Sequence, residues 1–416
     1  MANRQSQTQV NIGFYLKFLF LIVFCGSLIQ CSVGNKKADV PSGKWKNRMQ
    51  EMSQVLVDVY PHLVSHKEFN NPVNRRKIQK DAERLASLAH NVNKQRVKSK
   101  LKNLDRDPFV SVVSNTLDRE LHLAVEGLRT GKRDFSRAVL KNAASMCVRC
   151  HSRGSWGPYF VDWKKDKSFQ KLGLLEKGEL LAAVRRYDQA IAHYETILAD
   201  KKLASDESYT WVKAANSALN VAVRAQQDPD MAEKIVNTIL ANKSLPAFQR
   251  RNAEDWRRTI QNWKKENPRK KESLLAKAEQ TLKEAREKED YWGDRSSYIH
   301  YLRTSALLHD FLRTNTSVDD QAKALFYLGQ CYEVVAEMGI GDTNEFYYKA
   351  CIKRSPHSKT AMNCYERLEQ NILVDYSGRG TFSFPSGLMD HLRVLRDLAS
   401  PVEEKADFGK EMFESK

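Results

Sequence analysis

Cys147-Val148-Arg149-Cys150-His151 puts two thiols and an imidazole within five residues, and no other feature limits so strongly what this chain can build. On a helix, residues three and four apart share a face, so both sulfurs and the ring point the same way. With 7 Cys and 10 His among 416 residues, chance placement gives C-x-x-C-H roughly 0.003 times per chain. Three chemistries use such a cluster. A covalent c-type haem is tethered by two thioethers, with the following histidine on the iron. A redox-active C-x-x-C normally follows a strand in a βαβ unit, and a zinc site needs about two further thiolate or imidazole ligands. No βαβ pattern surrounds residues 147–151, and the downstream cysteines, Cys331, Cys351 and Cys364, lie in a different region. The spacing favours one haem c, attached through Cys147 and Cys150 and ligated by His151. A bridged or redox pair and a zinc site stay open as alternatives.

The N-terminus bears on the compartment. Arg4 and Lys17 flank an apolar run, Phe18 to Ile29, which has the length of a signal-peptide core and is short for a full membrane span. Leu28-Ile29-Gln30-Cys31 resembles a bacterial lipobox, with Gln30 where a small residue is usual. That resemblance implies cleavage before Cys31, lipid attachment to the Cys31 thiol and a flexible tether over residues 32–45. An uncleaved anchor from Phe18 to Gly34 is the alternative. Either route places the rest of the protein on the periplasmic side of a bacterial membrane, where c-type haem is attached in bacteria of this kind.

The formal net charge is +17, which suits acidic partners. Lys/Arg and Asp/Glu alternate, however, through segments such as Lys270 to Lys288, and no nucleic-acid-binding motif is present. Nucleic acid is therefore not an expected partner.

Residues 46–160 carry four amphipathic stretches. The first, about Arg48 to Ser65, spaces Met49, Met52, Val55, Leu56 and Val59 by threes and fours. The second follows Asn71-Pro72 and carries Ile78, Leu85, Leu88 and Val92; the third starts near Asp107-Pro108 and runs to Gly131. The fourth starts at Asp134 and ends in the C-x-x-C-H motif. Short connections between four such helices predict an up-and-down four-helix bundle. A haem motif in the last helix of a bundle, about a hundred residues into the chain, resembles the class II c-type cytochromes, the cytochrome c prime family and its low-spin relatives. The resemblance spans about residues 45–155. It implies that the first helix covers the other haem face, with an Arg four residues before the position over the iron, a spacing that Arg48 and Met52 share. Met52 is thereby implied as a metal ligand, with Met49 as substitute; His62, His66, His90 and His122 are rival ligands. A homodimer is implied by the same analogy.

From about residue 168 to 375 the chain shows a weak period near 34 residues. One unit has Leu174, Gly178, Leu181, Tyr187, Ala190, Tyr194 and Ile197; another has Leu325, Leu328, Gly329, Tyr332, Tyr348, Cys351 and Pro356, with about three extra residues near Met338–Gly341. Both resemble tetratricopeptide repeats, which implies an α-solenoid of stacked helix pairs and a surface for partner proteins. Looser helix-pair patterns run over Trp211–Leu240 and Leu282–Asn315. Cys351 is expected either as a buried thiol or bridged to Cys364 or Cys331. Residues 376–416 begin as a loop and then offer a helix from about Met389 to Ala399.

The expectation is an all-α, membrane-anchored monohaem cytochrome that transfers electrons and docks a redox partner protein or complex through its repeats. Two alternatives accompany it: a haem module that binds or senses nitric oxide or carbon monoxide, and a membrane-tethered interaction scaffold. No nucleophile-base pair, phosphate-binding loop or second haem motif points to an enzyme.

Overall fold

Four long helices carry the apolar periodicities of the first third of the chain: α1 (Gly43–Val64), α2 (Arg75–Ser99), α3 (Pro108–Arg129) and α4 (Arg133–His151). The computed structural model describes residues 43–99, 107–154, 163, 165–266, 272–290, 294–315, 317–335, 343–377 and 387–401. Within these the chain is all-helical, with no strand.

Each helix is explained by its stripe and its cap. In α1, Met52, Leu56, Val59 and Leu63 are buried on one face. In α2 the stripe is Ile78, Ala82, Leu85 and Ala89. Asp107 caps α3 by accepting from the Phe109 N–H at 3.0 Å, with Pro108 in the first turn. Gly131, at φ 79, takes the left-handed turn into α4. Sequential neighbours pack on one another, and α4 returns to α1. Arg137 of α4 fastens that contact: Nε and Nη2 donate to the carbonyls of Leu63 and Val64, both at 2.9 Å, satisfying acceptors that a helix end leaves open.

Further long helices follow, in order: α5 (Leu174–Ala183), α6 (Tyr187–Ala199), α7 (Ser208–Leu219), α8 (Pro229–Ala241), α9 (Ala247–Lys264), α10 (Leu274–Glu287), α11 (Tyr298–Thr314), α12 (Val318–Val334), α13 (Thr343–Arg354), α14 (Lys359–Ser377) and α15 (Leu388–Ala399). The expected tail helix is α15, packed on α13 and α14. Helix α9 falls between the repeat patterns and was not anticipated. Helix α7 runs into a π-helical stretch, Asn220–Gln226, a geometry that occurs mostly as short insertions, often at functional sites.

Contacts at several places join these helices to the first four. Helix α4 packs on α5, and α3 touches α13; the described residues cluster as one compact unit. Cys351 and Cys364 form a disulfide between α13 and α14, one of the two pairings considered above, and Cys331 is a buried thiol. Among the described residues no helix is long and apolar enough to cross a membrane. The Phe18–Gly34 run, Cys31 and the Met338–Gly341 insertion lie outside the described residues.

Candidate functional site

Cys147, Cys150 and His151 sit in the last turn and a half of α4, and all three line one cavity between α1, α2, α3 and the end of α5. The cavity measures about 90 Å³ and opens to solvent at its mouth. Its walls are apolar: Trp45, Met49, Met52 and Leu56 come from α1, Ala89 and Val92 from α2, Val110, Val113 and Leu117 from α3. Met52, 5 % exposed, belongs to the same wall set. Sequence spacing had tied Met52 to the motif only by analogy; the fold brings both to one space.

The environment sets the chemistry of the motif. Burial, reinforced by neighbouring Cys150, pushes the Cys147 thiol up to about 12, so it is a protonated, weakly nucleophilic sulfur at neutral pH. Cys147 and Cys150 are not bridged. The His151 ring is pushed down to about 3, chiefly by burial and then by Arg185, and is neutral, the form that ligates metals. Its Nδ1 lies against the Ala183 carbonyl at the end of α5. A carbonyl only accepts, so Nδ1 carries the proton and the ring's lone pair is on Nε2.

The rival histidines are placed elsewhere. His90 and His122 both pair with Asp118, at 3.1 Å each, and His66 pairs with Asp134 at 3.0 Å; all three are exposed. His62 is half-buried near the end of α1. None of the four lines the cavity.

A haem is the group whose fit these residues test. Two thiols one turn apart, a neutral imidazole with its Nδ1 proton engaged, and a thioether share an apolar space, which is the donor set that a c-type haem uses. Among the described residues no group of three or more His, Cys, Asp or Glu is arranged to hold a metal ion. A porphyrin supplies its own four nitrogens and requires no such cluster. The residues fit.

Beyond the motif, the structure gathers polar residues that sequence reasoning had passed over. Arg153, 2 % exposed, lies with its guanidinium carbon 3.1 Å above the Phe109 ring centre and ion-pairs with Asp107 at 3.4 Å. His309 of α11 contacts the same carboxylate through Nδ1 at 2.8 Å and the Tyr332 hydroxyl through Nε2 at 3.0 Å. The Tyr347 hydroxyl accepts a hydrogen bond from Arg153, and its ring stacks on Tyr332, ring centres 5.2 Å apart. Burial works to raise the Asp107 carboxyl, but the His309 ring and its hydrogen bond, then Arg153 and the Phe109 N–H, hold it at about 2. Arg224, fully buried in the π-helical stretch, donates to Tyr332 at 2.9 Å and to Ser152. An arginine inside the apolar run Val221–Ala225 was the one local signal available.

No family model, curated protein or solved structure matches the chain.

Proposed function

We propose that the chain is an exported, membrane-anchored monohaem c-type cytochrome that transfers electrons. The observation that carries this reading is the convergence of Cys147, Cys150, His151 and Met52 on one apolar cavity. In this reading α1 to α4 form a four-helix bundle around one haem c, and α5 to α14 form a tetratricopeptide-like solenoid that docks a redox partner protein. A haem bound here would supply a one-electron couple at its iron. Cys147 and Cys150 would hold it, His151 would present Nε2 to the iron, and Met52 would offer a thioether from the facing helix. The apolar wall excludes water and favours a stable, low-reorganisation site. The raised Cys147 thiol speaks against a redox-active pair, whose attacking sulfur needs a lowered pKa. The Cys351–Cys364 disulfide supports an oxidising compartment, in line with the signal-peptide-like N-terminus.

Absorption spectra of the protein, matured in an exporting host with haem-attachment machinery, test the assignment. The dithionite-reduced protein should show a sharp low-spin spectrum that carbon monoxide leaves unchanged, and Met52→Ala should become responsive to the gas. A native protein that already binds carbon monoxide would transfer the proposal to the gas-binding alternative. A spectrum without haem would contradict both.

A further inference from the structure

The four residues that follow Cys150, His151 to Gly154, are held by the later helices as well as by the first four, where Arg153 pairs with Asp107. Tyr187, at the start of α6, donates its hydroxyl to the His151 carbonyl at 2.6 Å and reaches the Gly154 carbonyl at 3.3 Å. Arg224 donates from Nε to the Ser152 carbonyl at 3.2 Å and from Nη2 to the Ser152 hydroxyl at 3.0 Å. The Ala183 carbonyl receives the His151 Nδ1 proton. The turn that carries Ala183 and Tyr187 has Arg185 at φ 59, a left-handed conformation that non-glycine residues adopt uncommonly.

The carbonyls at the end of a helix have no partners within it, and such ends ordinarily fray. Here Tyr187 and Arg224 supply donors to the carbonyls of the ligand residue and its neighbour, which fixes the terminal turn. The Ala183 carbonyl then meets a ring that has little freedom to turn away. A hydrogen bond from Nδ1–H to a carbonyl makes Nε2 a stronger donor, and a stronger donor stabilises the more positively charged oxidation state of a bound metal.

We infer that Tyr187 and Arg224 are positioning residues of the haem site: the repeat-like half is its outer shell, holding His151 against the Ala183 carbonyl and so setting the reduction equilibrium of the iron. This inference rests on the haem reading above. It makes the two halves one redox unit, in which whatever moves α5 to α7 acts on the iron through His151.

Equilibrium redox titration of the full-length, haem-loaded protein tests it, using Tyr187→Phe, Arg224→Lys and, as control, Tyr365→Phe, which removes a hydroxyl bonded at 2.7 Å to Glu369 in α14. Losing the hold of one hydrogen bond should move the reduction equilibrium about two- to tenfold toward the reduced form in the first two variants. The control should titrate as the parent does. Tyr187→Phe deletes a single oxygen and stays decisive should Arg224→Lys misfold. Titrations of Tyr187→Phe identical to those of the parent would overturn the inference while leaving the haem assignment intact. A parent protein that carries no covalent haem would overturn both.

Discussion

Asp107 shows how much one side chain can carry in this protein. It caps α3, and its carboxylate also faces Arg153 and His309 in a buried cluster. Asp107→Asn keeps the shape and removes the charge, leaving the Arg153 guanidinium buried beside neutral partners. Removing one partner of a buried ion pair costs about 3 to 5 kcal/mol, and urea unfolding of the variant should show a loss of that order. The cluster also makes stability depend on pH in a definite direction. His309 is lowered by burial and by Arg153, and His300 is pushed down to about 3 by burial, Lys288 and Arg303. Both take up protons at lower pH in the folded protein than in the unfolded chain, which does so below about pH 6.5. Their contribution is therefore present above pH 6.5 and is lost as pH falls, by about 1.4 kcal/mol per pH unit for each histidine until its folded value is reached. Asp107 adds a further loss as pH falls from its ordinary value of 3.8 to about 2. Unfolding free energies measured between pH 8 and 4 should decline below about 6.5, and His309→Gln should make the decline shallower. A flat profile would contradict the lowered histidines.

At the scale of elements, the two best repeat-like units share one packing device. A Cβ on Gly178 would meet Tyr194 Cε1 at 2.4 Å, and one on Gly329 would meet Tyr348 Cε1 at 2.3 Å. Both tyrosines are fully buried, so their rings have nowhere to retreat. By helix propensity alone, Gly→Ala in either helix would stabilise by about 1 kcal/mol. The clash opposes this with an overpacking cost of about 1 to 3 kcal/mol. The account therefore predicts that Gly178→Ala and Gly329→Ala lower the urea midpoint; a raised midpoint would show that the helices are not so closely apposed. The residues of this pairing stand out in the sequence: glycine and tyrosine are 16 residues apart in the first unit and 19 in the second, and the difference matches the roughly three extra residues near Met338–Gly341. The first four helices were legible for a similar reason, their boundaries set by Asp107-Pro108, Asn71-Pro72 and Gly131. Only α1 begins notably earlier than its apolar pattern, at Gly43 rather than near Arg48. Helix α9 was not legible, because Arg250, Arg251, Arg257 and Arg258 dilute its apolar positions and it matches no repeat register. Nor was the π-helical stretch, since an inserted residue leaves no signature in composition.

At the scale of the whole molecule, the sequence divides at about residue 160, yet chemistry crosses that division. Spacing and analogy single out Cys147, Cys150, His151 and Met52, each of which sits on a regular helix beside one cavity. Ala183, Tyr187, Arg224, His309 and Tyr347 could not be found that way, because they meet residues 107 and 151–153 only after the helix pairs fold back against α3 and α4. A partner that docks on the helix pairs thus contacts the same body that holds His151. The central claim is covalent haem at Cys147 and Cys150, and the most direct measurement is the intact mass, under denaturing conditions, of the protein matured in an exporting host with haem-attachment machinery. The account predicts the added mass of one haem in the parent and none in the double variant Cys147→Ala, Cys150→Ala. A parent chain with no added haem mass, or with haem that acid extraction removes, would contradict it.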